Sequence, residues 1–294
     1  MKTPPTRTLR GYFGVSLRGF LMGIADIIPG VSGGTMAFIL GIYDELIDAI
    51  RAVVPFLRNL LALRWREALD EFPWRFLLAL GIGIASAILS LANFMHWALD
   101  EHPTLVYSVF FGLIVASVYV VRRRVRAWTL PNLLMVAVFA VGAYLLMGLR
   151  PAETPNALWF IFLSGMIAIC AMILPGISGA FILVLLGKYQ YILGALVGLD
   201  IVTVLVFMAG AAVGIVSFAN LLRWLLDHFH DLTVAALVGF MLGSLRELWP
   251  WKVEKVNILP TAFTGEVALA LGLMLAGFLA VIIIETIAER RQAH

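Results

Sequence analysis

Residues 27–35 read IIPGVSGGT and residues 173–179 read ILPGISG. Each phrase stands in the middle of a long apolar stretch, where a Pro-Gly pair interrupts any helix. After Pro29 and Gly30, the run Ser32-Gly33-Gly34-Thr35 opens a new helix. The first N–H groups of such a helix have no intrahelical acceptor, and the helix dipole leaves partial positive charge there. Gly33 and Gly34 let a ligand approach the backbone closely, while Ser32 and Thr35 add hydroxyls. Gly176, Ser178, Gly179 and Ala180 offer the same chemistry from the second phrase. Gly30, Ser32, Gly33, Gly34, Thr35, Gly176, Ser178 and Gly179 therefore form a candidate anion site, suited to phosphate or carboxylate. The competing reading is a pair of kinked helices whose serines cap their own backbone.

The elements that carry these loops belong in a membrane. The chain has 294 residues, 62% hydrophobic and 13% charged. A soluble domain has about a quarter of its residues charged. The net charge of +3 does not point to nucleic acid, because the cations are sorted by membrane side. Six stretches are apolar and long enough to span: 75–98, 104–121, 131–149, 201–225, 233–249 and 265–284. Residues 12–50 and 157–197 each read as apolar segment, Pro-Gly break, apolar segment. Each is expected to return the chain to its starting side, as a re-entrant hairpin or as two full spans. Broken backbone is tolerated at membrane depth only where protein or a water-filled cavity satisfies it. No small-residue cleavage site follows a short hydrophobic core, so the first segment is expected to stay in the mature protein. Cys170 is the single cysteine and leaves the redox compartment open.

Sixteen of the 21 Lys and Arg residues fall on one face of this topology. They include Arg7, Arg10, Arg18, Arg51, Arg58, Arg64, Arg66, Arg75, the run Arg122 to Arg126, and Arg223. The opposite face has Arg150, Lys188, Arg246, Lys252 and Lys255. The positive-inside rule puts both termini in the cytoplasm of a multi-pass inner-membrane protein. Trp97, Trp224, Trp249 and Trp251 near span ends fit interfacial anchoring.

The chain also repeats itself. A shift of 146 carries Gly19, Pro29, Gly30, Ser32, Gly33, Gly41, Tyr43 and Ala49 onto identical residues. A shift of 127 does the same for Ser90, Asn93, Trp97, Asp100, Gly112 and Ser117. Each half, 1–150 and 151–294, thus holds one hairpin and three spans. Three is odd, so the halves must be inverted. The expected fold is an all-α polytopic membrane protein with an inverted-topology repeat, the hairpin tips meeting near the midplane. Doubled, interrupted segments of this kind point to a transporter binding site.

Asp26, three residues before Pro29, is a costly charge at depth. It is a candidate for coupling transport to H⁺ or Na⁺, or else a carboxylate that accepts the freed loop amides. Its counterpart in the second half is Met172. Asn93 and Asn220 are expected to be buried amides that bond between helices or support the hairpins. Arg246 and Glu247 read as an outer-interface pair, with Arg246 also a candidate for a lipid headgroup. Asp227-His228-Phe229-His230-Asp231 reads as a solvated turn rather than a metal cluster. Residues 56–71 suit a helix lying on an anionic inner leaflet. No metal or organic cofactor is expected, and the oligomeric state is left open, a homodimer being one option.

ADIIPGVSGGT with GIYDELI, and ILPGISG with LLGKYQYIL, resemble the polyprenyl-phosphate translocase (PopT-type) family over nearly the whole chain. The resemblance implies a non-enzymatic carrier that returns undecaprenyl phosphate from the outer to the inner leaflet. It carries over Pro29, Gly30, Ser32, Gly33, Gly34, Thr35, Pro175, Gly176, Ser178 and Gly179. Ala180 and Phe181 depart from the Gly-Thr of the first loop. Two alternatives stand beside it. A membrane lipid-pyrophosphate phosphatase resembles this chain in its broken hairpins, but its loop has an Arg-Ser pair where Gly33 and Gly34 stand, and phosphoryl transfer needs cationic charge on the transferred oxygens. The other is an ion-coupled carrier of a small water-soluble anion.

Overall fold

The computed structural model describes residues 7–28, 32–253 and 256–292. Pro29, Gly30, Val31 and Lys255 lie outside the described residues, as do Met1 to Thr6. The architecture is helical, apart from one short strand pair, Lys252–Val253 against Val256–Asn257.

The first apolar stretch forms three helices, α1 (Leu9–Ile27), α2 (Gly33–Ile39) and α3 (Tyr43–Arg51). The Thr8 hydroxyl accepts the Gly11 amide and starts α1. Gly41, at φ +68°, makes the left-handed turn from α2 into α3. Next come α4 (Val53–Leu61) and α5 (Trp65–Glu71). The single helix expected over 56–71 is therefore two. Leu63 adopts φ +58°, the left-handed conformation that ends a helix, and its amide bonds back to Leu60.

Then follow α6 (Trp74–Glu101), α7 (Pro103–Val121) and α8 (Leu130–Met147). The second apolar stretch gives α9 (Leu158–Ile173), α10 (Gly179–Leu185) and α11 (Tyr189–Val197), with Gly187 at φ +63° between the last two. The chain ends with α12 (Ile201–His228), α13 (His230–Leu248) and α14 (Gly265–Gln292). The pairs α2/α10, α3/α11, α6/α12 and α7/α13 have equal lengths of 7, 9, 28 and 19 residues.

Five helical segments are long and apolar enough to cross a membrane: Trp74–Glu101, Pro103–Arg124, Leu130–Met147, Ile201–His228 and Gly265–Thr286. The sixth expected span is α13, whose Asp231, Arg246 and Glu247 set it apart from those five, and which is largely buried. Helices α10 and α11 together are apolar enough for a span, but they bend by 105° at Gly187. At 1.5 Å per residue α10 covers only about 10 Å, far short of a bilayer core of about 30 Å.

Helices approach backbone to backbone through glycine, as membrane helices do when no hydrophobic driving force separates partner from lipid. Gly19 and Gly83 abut the Leu80 and Ser16 carbonyls between α1 and α6, and a Cβ on Gly23 would lie 2.8 Å from the Ile84 carbonyl oxygen. The correspondence advances by four residues on both helices, so α1 and α6 run parallel. Gly210 and Gly214 meet the Phe162 and Met166 carbonyls, which makes α9 and α12 parallel as well. Gly239 and Gly243 meet those of Val136 and Ala140, so α8 and α13 form a third parallel pair. Helices α7 and α14 close at Gly112 and Gly277.

Charges collect at two ends. Around α3, Arg7 grips Glu45 with two bonds of 2.6 and 2.7 Å. Asp44 lies 3.6 Å from Arg124 and 3.5 Å from Arg223, and Arg223 also reaches Asp48 and Asp227. Elsewhere Lys188, buried in the turn after α10, donates to the Thr154 carbonyl at 2.8 Å and to Asn156 Oδ1 at 2.6 Å.

Candidate functional site

The two breaks touch. Ser32 caps α2, its Oγ accepting the Gly34 amide at 3.1 Å. The same hydroxyl donates across to the second break, shared between the carbonyls of Met172 (3.0 Å) and Leu174 (3.2 Å). Thr35 Oγ1 accepts the Gly176 amide at 2.8 Å. Tyr43 donates its phenolic proton to the Ile173 carbonyl at 3.2 Å. Ser32, Thr35 and Tyr43 are all buried to within 1%. Buried polar groups must be answered by protein, and each break answers the other.

Close backbone contact explains two of the glycines. A Cβ on Gly34 would fall 2.5 Å from the Ile173 carbonyl oxygen. Gly176 takes φ +92° and faces Ser244 Oγ and the backbone of α13 at Phe240 and Met241. Ser244 is itself fully buried and bonded to the Met241 carbonyl.

The helix starts differ in what their amides do. In α2 the Gly33 amide donates to Asp26 Oδ1 at 2.8 Å, the Gly34 amide to Ser32 Oγ, and the amides of Thr35 and Met36 to the Ser32 carbonyl. Asp26 is thus an acceptor for a loop amide, one of the two roles its sequence position allows. In α10 Ser178 makes no side-chain cap, and the amides of Gly179, Ala180 and Phe181 have no acceptor among the described residues. Ser178 and Gly179 are buried, whereas Ala180 is exposed and Met172 beside them is 40% exposed. The second break therefore keeps donors near an open edge.

Ser32, Gly33, Gly34, Thr35 and Asp26 come together with Gly176 at one locus, with Ser178 and Gly179 two and three residues on. Gly30 and Pro29 lie outside the described residues. The supporting residues fare otherwise. Asn93 and Asn220 are exposed, against the expectation of buried amides. They sit on the outward sides of α6 and α12, because the glycine seams turn the small residues inward. Asn220 does bond between helices, accepting from Arg51 Nε at 3.0 Å and so tying α12 to the end of α3. Arg246 does not pair with Glu247. Its guanidinium donates to the Tyr144 carbonyl at 2.8 Å and stacks 4.3 Å from the Tyr144 ring, while Glu247 pairs with Lys252 at 3.2 Å. Successive residues leave a helix about 100° apart, so neighbours find different partners.

Tyr43 and Ser244 stand in the sequence only as positions of the repeat, not as candidate site residues. Tyr43 recurs as Tyr189 at the 146 shift, a signal of structural use that its type alone does not carry. The Asp227 to Asp231 turn holds ordinary contacts. Arg223 pairs with Asp227, and Asp231 accepts the Ala127 amide at 3.2 Å. No cluster able to hold a metal occurs among the described residues.

A family model described as VCA0040-like, undecaprenyl phosphate translocase-like, matches residues 22–267. The chain is 42% identical over 246 residues to a polyprenyl-phosphate transporter of Vibrio cholerae serotype O1, covering 82% of this chain and 79% of the relative. It is 32% identical over 254 residues to a polyprenyl-phosphate transporter of Staphylococcus aureus, covering 80% and 85%. No solved structure matches the chain.

Proposed function

The chain belongs to the undecaprenyl phosphate translocase-like family, and from that premise we propose how it carries a polyprenyl phosphate across the membrane. The lipid's phosphate is held between the two broken loops while its isoprenoid tail stays in the bilayer. The observation that carries this reading is the bonding of Ser32 and Thr35 to Met172, Leu174 and Gly176, which makes one polar locus from two interrupted helices.

The loops are the re-entrant elements of an inverted repeat made of residues 1–150 and 151–294. The parallel pairs α1/α6 and α9/α12 support this reading, because each hairpin must bring the chain back to the end where it began. The parallel pair α8/α13 agrees with the second half starting at the opposite face. The clustering of Arg7, Arg51, Arg124 and Arg223 around α3 agrees with a cytoplasmic end that also holds both termini.

The headgroup meets the second break first. Gly179, Ala180 and Phe181 present donors beside an exposed edge, and Ser178 adds a hydroxyl. A helix start of this kind favours phosphate. To engage the first break the phosphate must take the Gly33 amide from Asp26. Two anions cannot share that donor cheaply, so Asp26 must take up a proton or a cation, or swing away, as the phosphate arrives. This exchange is where H⁺ or Na⁺ enters transport.

The relatives are named as transporters, which favours a carrier over a phosphatase. Gly33 and Gly34 supply amides without the arginine that phosphoryl transfer would use. The test is reconstitution into liposomes, following undecaprenyl phosphate between leaflets while pH and sodium are varied. Protein-dependent movement supports the reading. Release of inorganic phosphate from undecaprenyl pyrophosphate, or competition by free phosphate with no effect of the long-chain lipid, overturns it.

A further inference from the structure

A second feature lies away from the loops, where α1 and α6 begin. The two helices are in backbone contact at Gly19 and Gly83. Between them lies a cavity of about 430 Å³ with an open side. Its floor is sealed where Ser16 Oγ donates to the Ala79 carbonyl at 2.7 Å. Its walls are apolar, with Phe13, Leu78 and Ile82 all exposed.

Two arginines line this cavity, and they are not equivalent. The charge of Arg7 is committed to Glu45 by the bidentate pair. The Arg75 guanidinium lies 5.1 Å from the Trp74 ring and has no carboxylate partner among the described residues. Stacking on an aromatic face leaves the N–H fork of an arginine free for oxygen ligands. One uncommitted cation at the mouth of an apolar trench matches a ligand with one negative charge and a hydrocarbon chain. A phosphodiester has that single charge, whereas a phosphomonoester approaches two.

We propose that this trench binds one anionic phospholipid from the leaflet that meets the amino-terminal end. The phosphodiester sits on Arg75, and an acyl chain runs along Phe13, Leu78 and Ile82. From Arg75 to Ile82 the helix rises about 10 Å, which accommodates the first half of such a chain. Trp74 stands where tryptophan anchors to the headgroup layer. The bound lipid braces α1, the helix that carries Asp26, against α6. This assignment stands independently of where the transported phosphate binds.

The test uses the full chain in detergent, stripped of lipid and titrated with phosphatidylglycerol and with phosphatidylcholine of the same acyl chains. Bound lipid is counted by native mass spectrometry. Arg75→Gln is expected to lower phosphatidylglycerol affinity about tenfold, the loss of one charge-assisted contact, and to leave phosphatidylcholine unchanged. Ile82→Trp fills the trench and is expected to lower binding of both. Arg58→Gln, on α4, serves as the control for general loss of charge. The proposal fails if Arg75→Gln changes phosphatidylglycerol binding no more than Arg58→Gln does. It fails equally if undecaprenyl phosphate displaces phosphatidylglycerol from the wild-type protein at equal concentration.

Discussion

Asp26 Oδ1 accepts the Gly33 amide at 2.8 Å, so an anion of the chain itself already occupies the first donor of the outgoing helix. A Cβ added at Gly33 would lie 2.6 Å from both carboxylate oxygens. The helix start thus has an internal ligand, which a phosphate arriving as proposed would have to displace.

Asp26→Asn is expected to fold, because the amide oxygen can still accept from Gly33, and to lose the ion dependence of transport. Transport measured against pH and sodium in liposomes decides this. Profiles matching the wild type would remove Asp26 from coupling. Asp26→Ala leaves the Gly33 amide unpaired and should cost about 1–3 kcal/mol of stability.

The two serines separate structure from transport. Ser32 bonds to its own helix and to the opposite hairpin, so Ser32→Ala should lower both stability, by about 1–2 kcal/mol, and transport. Ser178 makes no cap, so Ser178→Ala should stay within about 0.5 kcal/mol of wild type and still slow transport. Thermal unfolding and lipid movement are measured on the same preparations. Normal transport in both variants would mean the loops do not hold the headgroup.

Gly34→Ala tests the contact between breaks. The new methyl would press on the Ile173 carbonyl at 2.5 Å and on that of Met172 at 2.9 Å, both at the end of α9. Overpacking of this kind costs about 1–3 kcal/mol, and separating the loops should abolish transport. Gly41→Ala makes the matched control. There a Cβ meets open space, and only the positive φ is penalised.

Arg223 draws α3 to α12 through Asp44 and Asp48. The groups are partly exposed, so Arg223→Gln should cost under about 1 kcal/mol. Hydrogen exchange over residues 43–51 should rise in the variant. The difference from wild type should shrink in high salt, which screens such pairs. A salt-independent difference would assign the tether to packing instead.

Much of this was legible in the chain. The six expected spans correspond to helices, five of them long and apolar enough to cross a membrane, because twenty apolar residues in lipid have no other way to satisfy their backbone. Pro29-Gly30 and Pro175-Gly176 announced breaks because proline removes a donor and glycine permits the turn. Asn93 misled, because a polar side chain in an apolar run does not reveal which side of its helix faces protein. Arg246 misled for a related reason. Adjacency in sequence to Glu247 suggested a pair, and helical geometry sent the two side chains to Tyr144 and Lys252.

By itself the sequence determined that the chain lives in a membrane, where its helices run, and that two of its segments are interrupted by matching phrases. These follow from local chemistry, hydrophobicity and backbone freedom, which each stretch carries wherever it is put. Only the tertiary structure decided that the interruptions face one another, that Ser32, Thr35 and Tyr43 turn their hydroxyls to the opposite break, and that the first amides of α2 are answered while those of Gly179, Ala180 and Phe181 in α10 have no acceptor among the described residues. A donor at depth needs an acceptor, but which of the available oxygens comes within 3 Å is fixed by helices meeting more than a hundred residues apart.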